Sequence, residues 1–325
     1  MVPCDSVSAS HGVMYCQECG GTLWYLIQTV FTCTLCSHMV HTQCVDKIRR
    51  RCVGSFLSSS LTDEECPRWF DGSVMTRICP EQSLAEQQYQ CEECGAVLRS
   101  WSDARLCDYT GAYYCHHCHW GAAHPSPARI IHNWDFTPVP MSQAALQYLN
   151  LIIKKPLIDL LTINPSLSAV IQEVSSVIKL RQRIMSMKKY LMVCRIAGEE
   201  RILTQLQERQ HCVDNSHMFT LQDLMDVQTG VLISYLETKC QVFKSHIITC
   251  MLCLAKSFVC EICTGPDQEC LFPFDDGVDV CRECEAVYHR DCFRSVVTCP
   301  RCDRKRDKKE SVIAAANAVF TVDID

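Results

Sequence analysis

Cysteines recur in pairs along the last fifth of this 325-residue chain: Cys250-x2-Cys253, Cys260-x2-Cys263, Cys281-x2-Cys284 and Cys299-x2-Cys302, with His289-x2-Cys292 between the third and fourth. Two sulfurs two residues apart lie on one tight turn and supply half of a tetrahedral zinc site, so two such knuckles close one ion. The order Cys260/Cys263, Cys281/Cys284, His289/Cys292, Cys299/Cys302 suits an interleaved, cross-braced pair of sites. In that scheme the first and third pairs share one ion, and the second and fourth pairs share the other. Cys250/Cys253 is left over. Two assignments are open for it: a third site with further ligands, or displacement of Cys260/Cys263 from the pairing. The bland alternative is buried core thiols or disulfides, but cores do not space thiols this way and nothing in the chain reads as secreted.

The same grammar opens the chain as Cys16-x2-Cys19-x13-Cys33-x2-Cys36-x4-His41-x2-Cys44-x7-Cys52. It returns as Cys91-x2-Cys94-x20-Cys115-x2-Cys118, the spacing of a single four-cysteine ribbon. Cys66, Cys79, Cys107, His119 and His124 are weaker candidates, open between packing and ligation. Eight C-x2-C pairs stand against about two expected from scattering 27 cysteines at random, and the odd total argues against a fully paired disulfide framework.

The elements that must position these donors differ along the chain. Ser55 to Glu65 is rich in Ser, Thr and acids and reads as a linker. Between about 141 and 247 the cysteine pairs vanish and a helical period takes over. Asn164-Pro165 reads as an N-cap before Pro at the first helical position. Leu167, Val170, Ile171, Val174 and Ile178 then form one apolar face, and a second helix is expected to carry Ile184, Met187, Tyr190, Leu191 and Cys194, with Gly198 an interruption. Thr220-x2-Asp223 reads as a capping box opening a short helix closed by Gly230, and another helix follows to about His246.

The fold class expected is α+β, a zinc-rich multi-module chain with small β zinc modules at both ends flanking a helical middle. No stretch is long and apolar enough to read as a membrane span or a secretory leader, which places the chain in the cytoplasm with thiols reduced or on metal. A net charge of −6 gives no global pull toward nucleic acid, and none is expected as a partner. Two local basic runs, Ile48 to Arg51 and Arg301 to Lys309, act at short range. A search for a nucleophile fails: His211, Cys212 and Asp214 are neighbours without a supporting turn or oxyanion motif, and no Gly-rich phosphate loop occurs.

The first cluster resembles a C1 domain at every spacing present. The resemblance assigns Cys16, Cys19, His41 and Cys44 to one zinc, and Cys33, Cys36 and Cys52 to a second. The fourth ligand of the second would be a His thirteen positions before Cys16, where Pro3 stands; Cys4 or His11 substitutes, or the chain begins inside the module. Gly20, Leu23, Trp24 and Gln28 match the lipid groove of such domains, but Tyr25 and Thr29 replace glycines and no Pro closely precedes Cys16. This favours a structural or protein-binding module over a diacylglycerol switch. Cys107-Asp-Tyr-Thr-Gly-Ala-Tyr-Tyr-Cys115 looks like the second half of a LIM domain.

Pro127-Ala-Arg-Ile-Ile-His-Asn-Trp-Asp-Phe136, with Ser257-Phe-Val-Cys260 and Leu271-Phe-Pro-Phe274, resembles the Rubicon-homology domain family, in the layout where a C1-like module precedes that domain. The resemblance implies 1–56 as C1-like module, 57–78 as linker, 79–310 as Rubicon-homology domain and 306–325 as tail. Within the domain, 79–125 is a LIM-like ribbon, 126–247 a helical block and 248–305 the cross-braced module. The ligand tally gives about five or six zincs per chain, and the resemblance further implies a non-enzymatic adaptor. Such an adaptor recognises a late-endosomal Rab GTPase in its GTP form. It acts in lysosome positioning, endosome maturation or autophagy, alongside other adaptors of the family, and is peripheral on endolysosomal membranes through partners. The rival from another class is a RING-type ubiquitin ligase, since Ile262 and Pro300 stand where RING domains hold a conjugating enzyme; the six-residue gap from Cys292 to Cys299 is short for one.

Overall fold

The computed structural model describes residues 1–4, 14–24, 27–48, 50, 52–56, 76–263 and 269–320. His11, Tyr25, Arg49, Arg51, Cys66, most of the expected linker and the last five residues lie outside them. The described residues form helices and small, mostly two-stranded antiparallel sheets, with Cys/His clusters at both ends of a helical middle, as the sequence leads one to expect. The chain divides into two compact units, Met1–Val174 with His217–Thr229, and Ser175–Ser216 with Gly230–Asp325.

In the first unit, strands Val2–Cys4, Val30–Thr32 and Met39–His41 make an antiparallel sheet. Val30 and Val40 are buried there in one cluster with Leu23, Cys16 and Cys44. Arg105–Leu106 pairs with Tyr113–Tyr114 through a turn at Gly111, whose φ of +71° suits glycine. A Cβ there would lie 2.2 Å from the Pro80 carbonyl oxygen, so both the angle and the space require glycine. The Pro127–Asn133 helix opens with Pro at its first turn and ends at Trp134 in the left-handed region. Arg129 holds Asp108 with two bonds, Nε at 2.9 Å and Nη2 at 2.5 Å. Helix Gln143–Ile152 is capped by the Ser142 hydroxyl, which accepts from Ala145 N–H, and buries Ala144, Ala145, Tyr148, Leu149 and Ile152. The expected capping box at Thr220/Asp223 is present and opens helix Leu221–Gln228.

The second unit is built on the long helix Gln172–Leu191 and on Val231–Thr249, which starts from Gly230 at φ +75° and buries Leu232, Leu236, Cys240, Phe243 and Ile247. Three local expectations are corrected. Asn164 is not an N-cap: its amide donates to the Ile131 carbonyl, and its Oδ1 accepts from the Ser166 hydroxyl. Leu167–Val170 is a separate short turn, because Ile171 is extended at φ −95°, ψ 110°. From Gln172 onward the helix runs through to Leu191 without the expected break, and Cys194 lies beyond it. The buried stripe Val177, Ile178, Arg181, Ile184, Met187, Leu191 is continuous in three dimensions; Arg181, fully buried, hides that continuity from an apolar pattern search. Gly198 sits inside the short helix Arg195–Glu199, and the interruption falls instead at Met192–Cys194.

Leu271–Phe274 packs on the long helix. The Tyr190 ring meets Phe272 and Phe274 edge-on, with centroids 5.4 and 5.9 Å away, and the two Phe rings stack at 5.1 Å. Lys244 pairs with Asp275 at 3.1 Å and Lys189 with Glu285 at 3.1 Å around this contact. Beyond it come the hairpin Val278–Val280/Val287–His289, the short helix Arg290–Arg294 and the C-terminal helix Pro300–Phe320.

Candidate metal centres

One loop shape recurs at the cysteine pairs. In each copy the first Cys N–H donates to the carbonyl five residues on, and its own carbonyl accepts from the N–H four residues on. The copies are Cys16 with Gly21 and Gly20, Cys33 with His38 and Ser37, Cys91 with Ala96 and Gly95, and Cys281 with Ala286 and Glu285. The fourth residue after the Cys takes positive φ each time, at Gly20, Ser37, Gly95 and Glu285. A further copy begins at Cys107, with Ala112 and Gly111, but Thr110 occupies the seat of the second cysteine. Cys107 accordingly accepts the Ser142 N–H at 3.2 Å, and Thr110 bonds the Tyr114 hydroxyl at 3.2 Å.

Among the described residues the donor groups include five four-atom clusters: Cys16/Cys19/His41/Cys44, Cys91/Cys94/Cys115/Cys118, Cys194/His246/Cys250/Cys253, Cys260/Cys263/His289/Cys292 and Cys281/Cys284/Cys299/Cys302. The last two have the interleaved pairing read from the sequence, the first pair with the third and the second with the fourth. Sulfur to sulfur distances are 3.7 Å for Cys94–Cys115, 3.7 Å for Cys194–Cys250, 3.7 Å for Cys281–Cys302 and 3.6 Å for Cys284–Cys299. Sulfur to imidazole distances are 3.4 Å for Cys19–His41, 3.5 Å for Cys194–His246 and 3.4 Å for Cys263–His289. A tetrahedral ion with bonds of about 2.0 Å to nitrogen and 2.3 Å to sulfur has edges of about 3.5 to 3.8 Å, whereas a disulfide needs about 2.05 Å. The donor sets therefore fit zinc, and several zinc ions per chain are consistent with them.

The electrostatics ask for a cation as well. Burial raises the Cys16 thiol, but the backbone N–H groups of His41, Cys19 and Glu18 outweigh it and bring it to about 7. Cys44, desolvated and facing Cys19 and Cys16, is pushed up to about 12. The other clusters split the same way. Cys260 comes down to about 6 because backbone N–H groups overcome its burial, while burial and the facing Cys260 and Cys263 push Cys292 up to about 11. Contacts with Cys118 and Cys91 lower Cys115, and contacts with Cys115 and Cys91 raise Cys118. Three or four thiols this close cannot all ionise beside one another; a divalent ion removes that conflict.

The Cys194/His246/Cys250/Cys253 cluster supplies partners for the unassigned pair, and both Cys194 and His246 were missed in the sequence. The His246-x3-Cys250-x2-Cys253 spacing was the available signal, while Cys194 reads only as the end of an apolar face. His246 turns Nε2 toward Cys194 and presents Nδ1 to Glu200 Oε2 at 3.3 Å, the carboxylate–histidine arrangement that fixes a ligand's tautomer. His41 does the equivalent with the Thr22 carbonyl, at 3.0 Å from its Nε2.

Cys33 and Cys52 approach to 3.5 Å, and burial followed by contacts with Cys52 and Cys33 pushes Cys36 up to about 12, so the three thiols form one group. Of the substitutes for a fourth donor, His11 is outside the described residues and Cys4 contributes a backbone position opposite Val30. Of the weaker candidates, His119 bonds the Leu106 carbonyl and accepts from Gly121 N–H, and His124 bonds the Pro125 carbonyl. Arg50, from the first basic run, is turned inward. Its guanidinium lies 3.3 Å from the Glu93 carboxylate, which sits inside the Cys91–Cys94 knuckle, and both side chains are 9% exposed. That contact is an ion pair without hydrogen-bond alignment, since neither Glu93 oxygen has a hydrogen-bond partner. Burial raises the Glu93 pKa and Arg50 counters it. Arg50 also donates to Gln147, whose amide reaches Gln17 at 2.9 Å.

Comparison with known proteins matches residues 105–307 to the Rubicon Homology Domain and residues 7–55 to the phorbol ester/diacylglycerol binding domain, or C1 domain. The chain is 38% identical over 300 residues to the "Differentially expressed in FDCP 8 homolog" of Drosophila melanogaster, covering 91% of this chain and 58% of that protein. It is 38% identical over 305 residues to the Caenorhabditis elegans protein of the same description, covering 91% and 61%. It is 35% identical over 240 residues to human pleckstrin homology domain-containing family M member 3, covering 73% and 31%. The chain thus spans about three fifths of the length of the first two relatives.

Proposed function

Because the chain belongs to the Rubicon-homology domain family, with a C1 domain ahead of that domain, we propose that it is a zinc-shaped, non-enzymatic adaptor of the endolysosomal system that recognises a late-endosomal Rab GTPase in its GTP form. The proposed zinc ligands are the five four-donor clusters, with Cys33, Cys36 and Cys52 forming a sixth, weaker site. C1 and Rubicon-homology domains are typically non-catalytic. The observation that carries the reading is the way the Leu271–Phe274 segment, lying between two ligand pairs, docks on the long helix of the second unit. A surface cleft of about 450 Å³ opens at that junction, lined by Tyr190, Phe258, Pro273 and Val280 and flanked by Lys189 and Glu285. An apolar floor with a charged rim suits a protein partner. Its walls come from both the helix and the metal-held segment, so zinc loss deforms it.

An effector distinguishes nucleotide states only through differential affinity. Purified chain captured on Rab loaded with a GTP analogue or with GDP therefore tests the reading, and binding is expected to favour the GTP form. Chelation and Cys292→Ser should abolish that preference. Equal capture by both nucleotide forms, or full retention by a Cys292→Ser protein with measured zinc loss, rejects the proposal. Autoubiquitination by the same protein with a conjugating enzyme would instead support the RING reading.

A further inference from the structure

The helix Pro300–Phe320 absorbs the second basic run and carries it out of the fold: every residue from Arg304 to Ile313 is exposed. A helical stretch whose residues from Arg304 to Ile313 bury no face lacks the tertiary packing that stabilises most protein helices, so its sequence there must answer to something outside the chain. Its charges are sorted by face. Arg301, Lys305, Lys308, Lys309 and Val312 fall at i, i+4, i+7, i+8 and i+11, one stripe of the helix. Asp303, Asp307 and Glu310 repeat at i, i+4 and i+7 from a start two residues later, which puts them on the opposite side. The two arginines beside the stripe are already committed, Arg304 to Glu261 at 2.6 Å and Arg306 to Asp303. Arg301 and the three lysines have no carboxylate partner among the described residues. Along the helix the character changes too: Val312 and Ile313 are 60% and 51% exposed, and no charged residue occurs between Glu310 and Asp323.

We propose that this helix is a membrane-docking element, which lays its lysine stripe on the headgroups of an anionic lipid surface and turns its acidic face to water. Charge complementarity names the occupant. A chain with net charge −6 is repelled by an anionic membrane at long range, but within a Debye length of about 8 Å a local stripe of unpaired cations dominates. A cationic first half followed by an uncharged half with exposed Val312 and Ile313 matches a bilayer's headgroup layer and acyl boundary. An acidic protein would explain the lysines but not the exposed Val312 in line with them.

The test is co-sedimentation of the full chain with phosphatidylcholine vesicles, with and without phosphatidylserine, and without diacylglycerol or any GTPase. Binding is expected only with phosphatidylserine, and it should weaken as salt is raised. Lys305→Gln/Lys308→Gln should weaken it about thirtyfold, each cation near an anionic surface contributing roughly a factor of five. Asp307→Asn/Glu310→Gln, on the far face, should not weaken it. These positions are exposed, and unchanged circular dichroism and zinc content exclude misfolding. Equal sedimentation with neutral vesicles overturns the proposal, as does full binding by the lysine variant. Loss of binding on Trp24→Asp but not on the lysine variant would move the contact to the C1 module. Salt-sensitive capture on polyglutamate with no vesicle binding would assign the stripe to an acidic protein. Because no GTPase is present, failure here leaves the Rab reading untouched.

Discussion

Two metal-donor regions of the second unit contain the same chemistry in opposite settings. The cross-braced donors of Cys260 to Cys302 are contiguous in sequence, and the core around them is made largely of the cysteines themselves with Leu271, Val278, Ala286, Val287 and Tyr288. The Cys194/His246/Cys250/Cys253 set joins the ends of two segments that already bury apolar stripes, Ile184, Met187 and Leu191 on one and Leu236, Phe243 and Ile247 on the other. In the first region a bound metal would replace a core that so short a segment cannot build. In the second it would clamp helices that packing has largely formed.

That contrast predicts different consequences for one lost ligand. Cys292→Ser should unfold the cross-braced module, because a structural zinc supplies on the order of 10 kcal/mol and little else holds these residues. Proteolysis between Cys260 and Cys302, followed by mass spectrometry, should find that segment cut while the helices survive. Cys194→Ser should also release one zinc but lower stability by on the order of 5 kcal/mol, roughly half of that contribution, with helicity retained. Circular dichroism with urea titration checks this, and if both variants lose the same structure the contrast fails. Phe272→Ala removes the ring between Tyr190 and Phe274 and should cost about 3–5 kcal/mol without releasing any zinc, which separates packing from ligation. Glu200→Gln is the mildest. It keeps shape but weakens the acceptor facing His246 Nδ1, and competition with a chelator should give a site about ten- to a hundredfold weaker at the clamp alone.

The same contrast explains what the sequence made legible. Donors two residues apart announce themselves because the loop between them is local, and the interleaved C-terminal pairing follows from their order. Cys194 and His246 are 52 residues apart and meet only because two helices bring their ends together, so no local spacing connects them. Thr220/Asp223 and Gly230 were readable for the local reason: caps and left-handed turns are decided by a few residues. Arg181, a charge, continues the long helix's buried stripe and so interrupts its apolar pattern. The Asn164 side chain answers a long-range carbonyl, Ile131, rather than its own helix, which no local pattern reveals.

The claim on which the account rests is that these clusters are separate zinc sites. Native mass spectrometry of the full chain, purified without added chelator, tests it directly. At least five zinc ions per chain are expected, matching the five four-donor clusters, with free thiols recovered after zinc is stripped. Cys194→Ser should carry one ion fewer and no other change in metal content. One zinc or none, with disulfides in place of thiols, would contradict it.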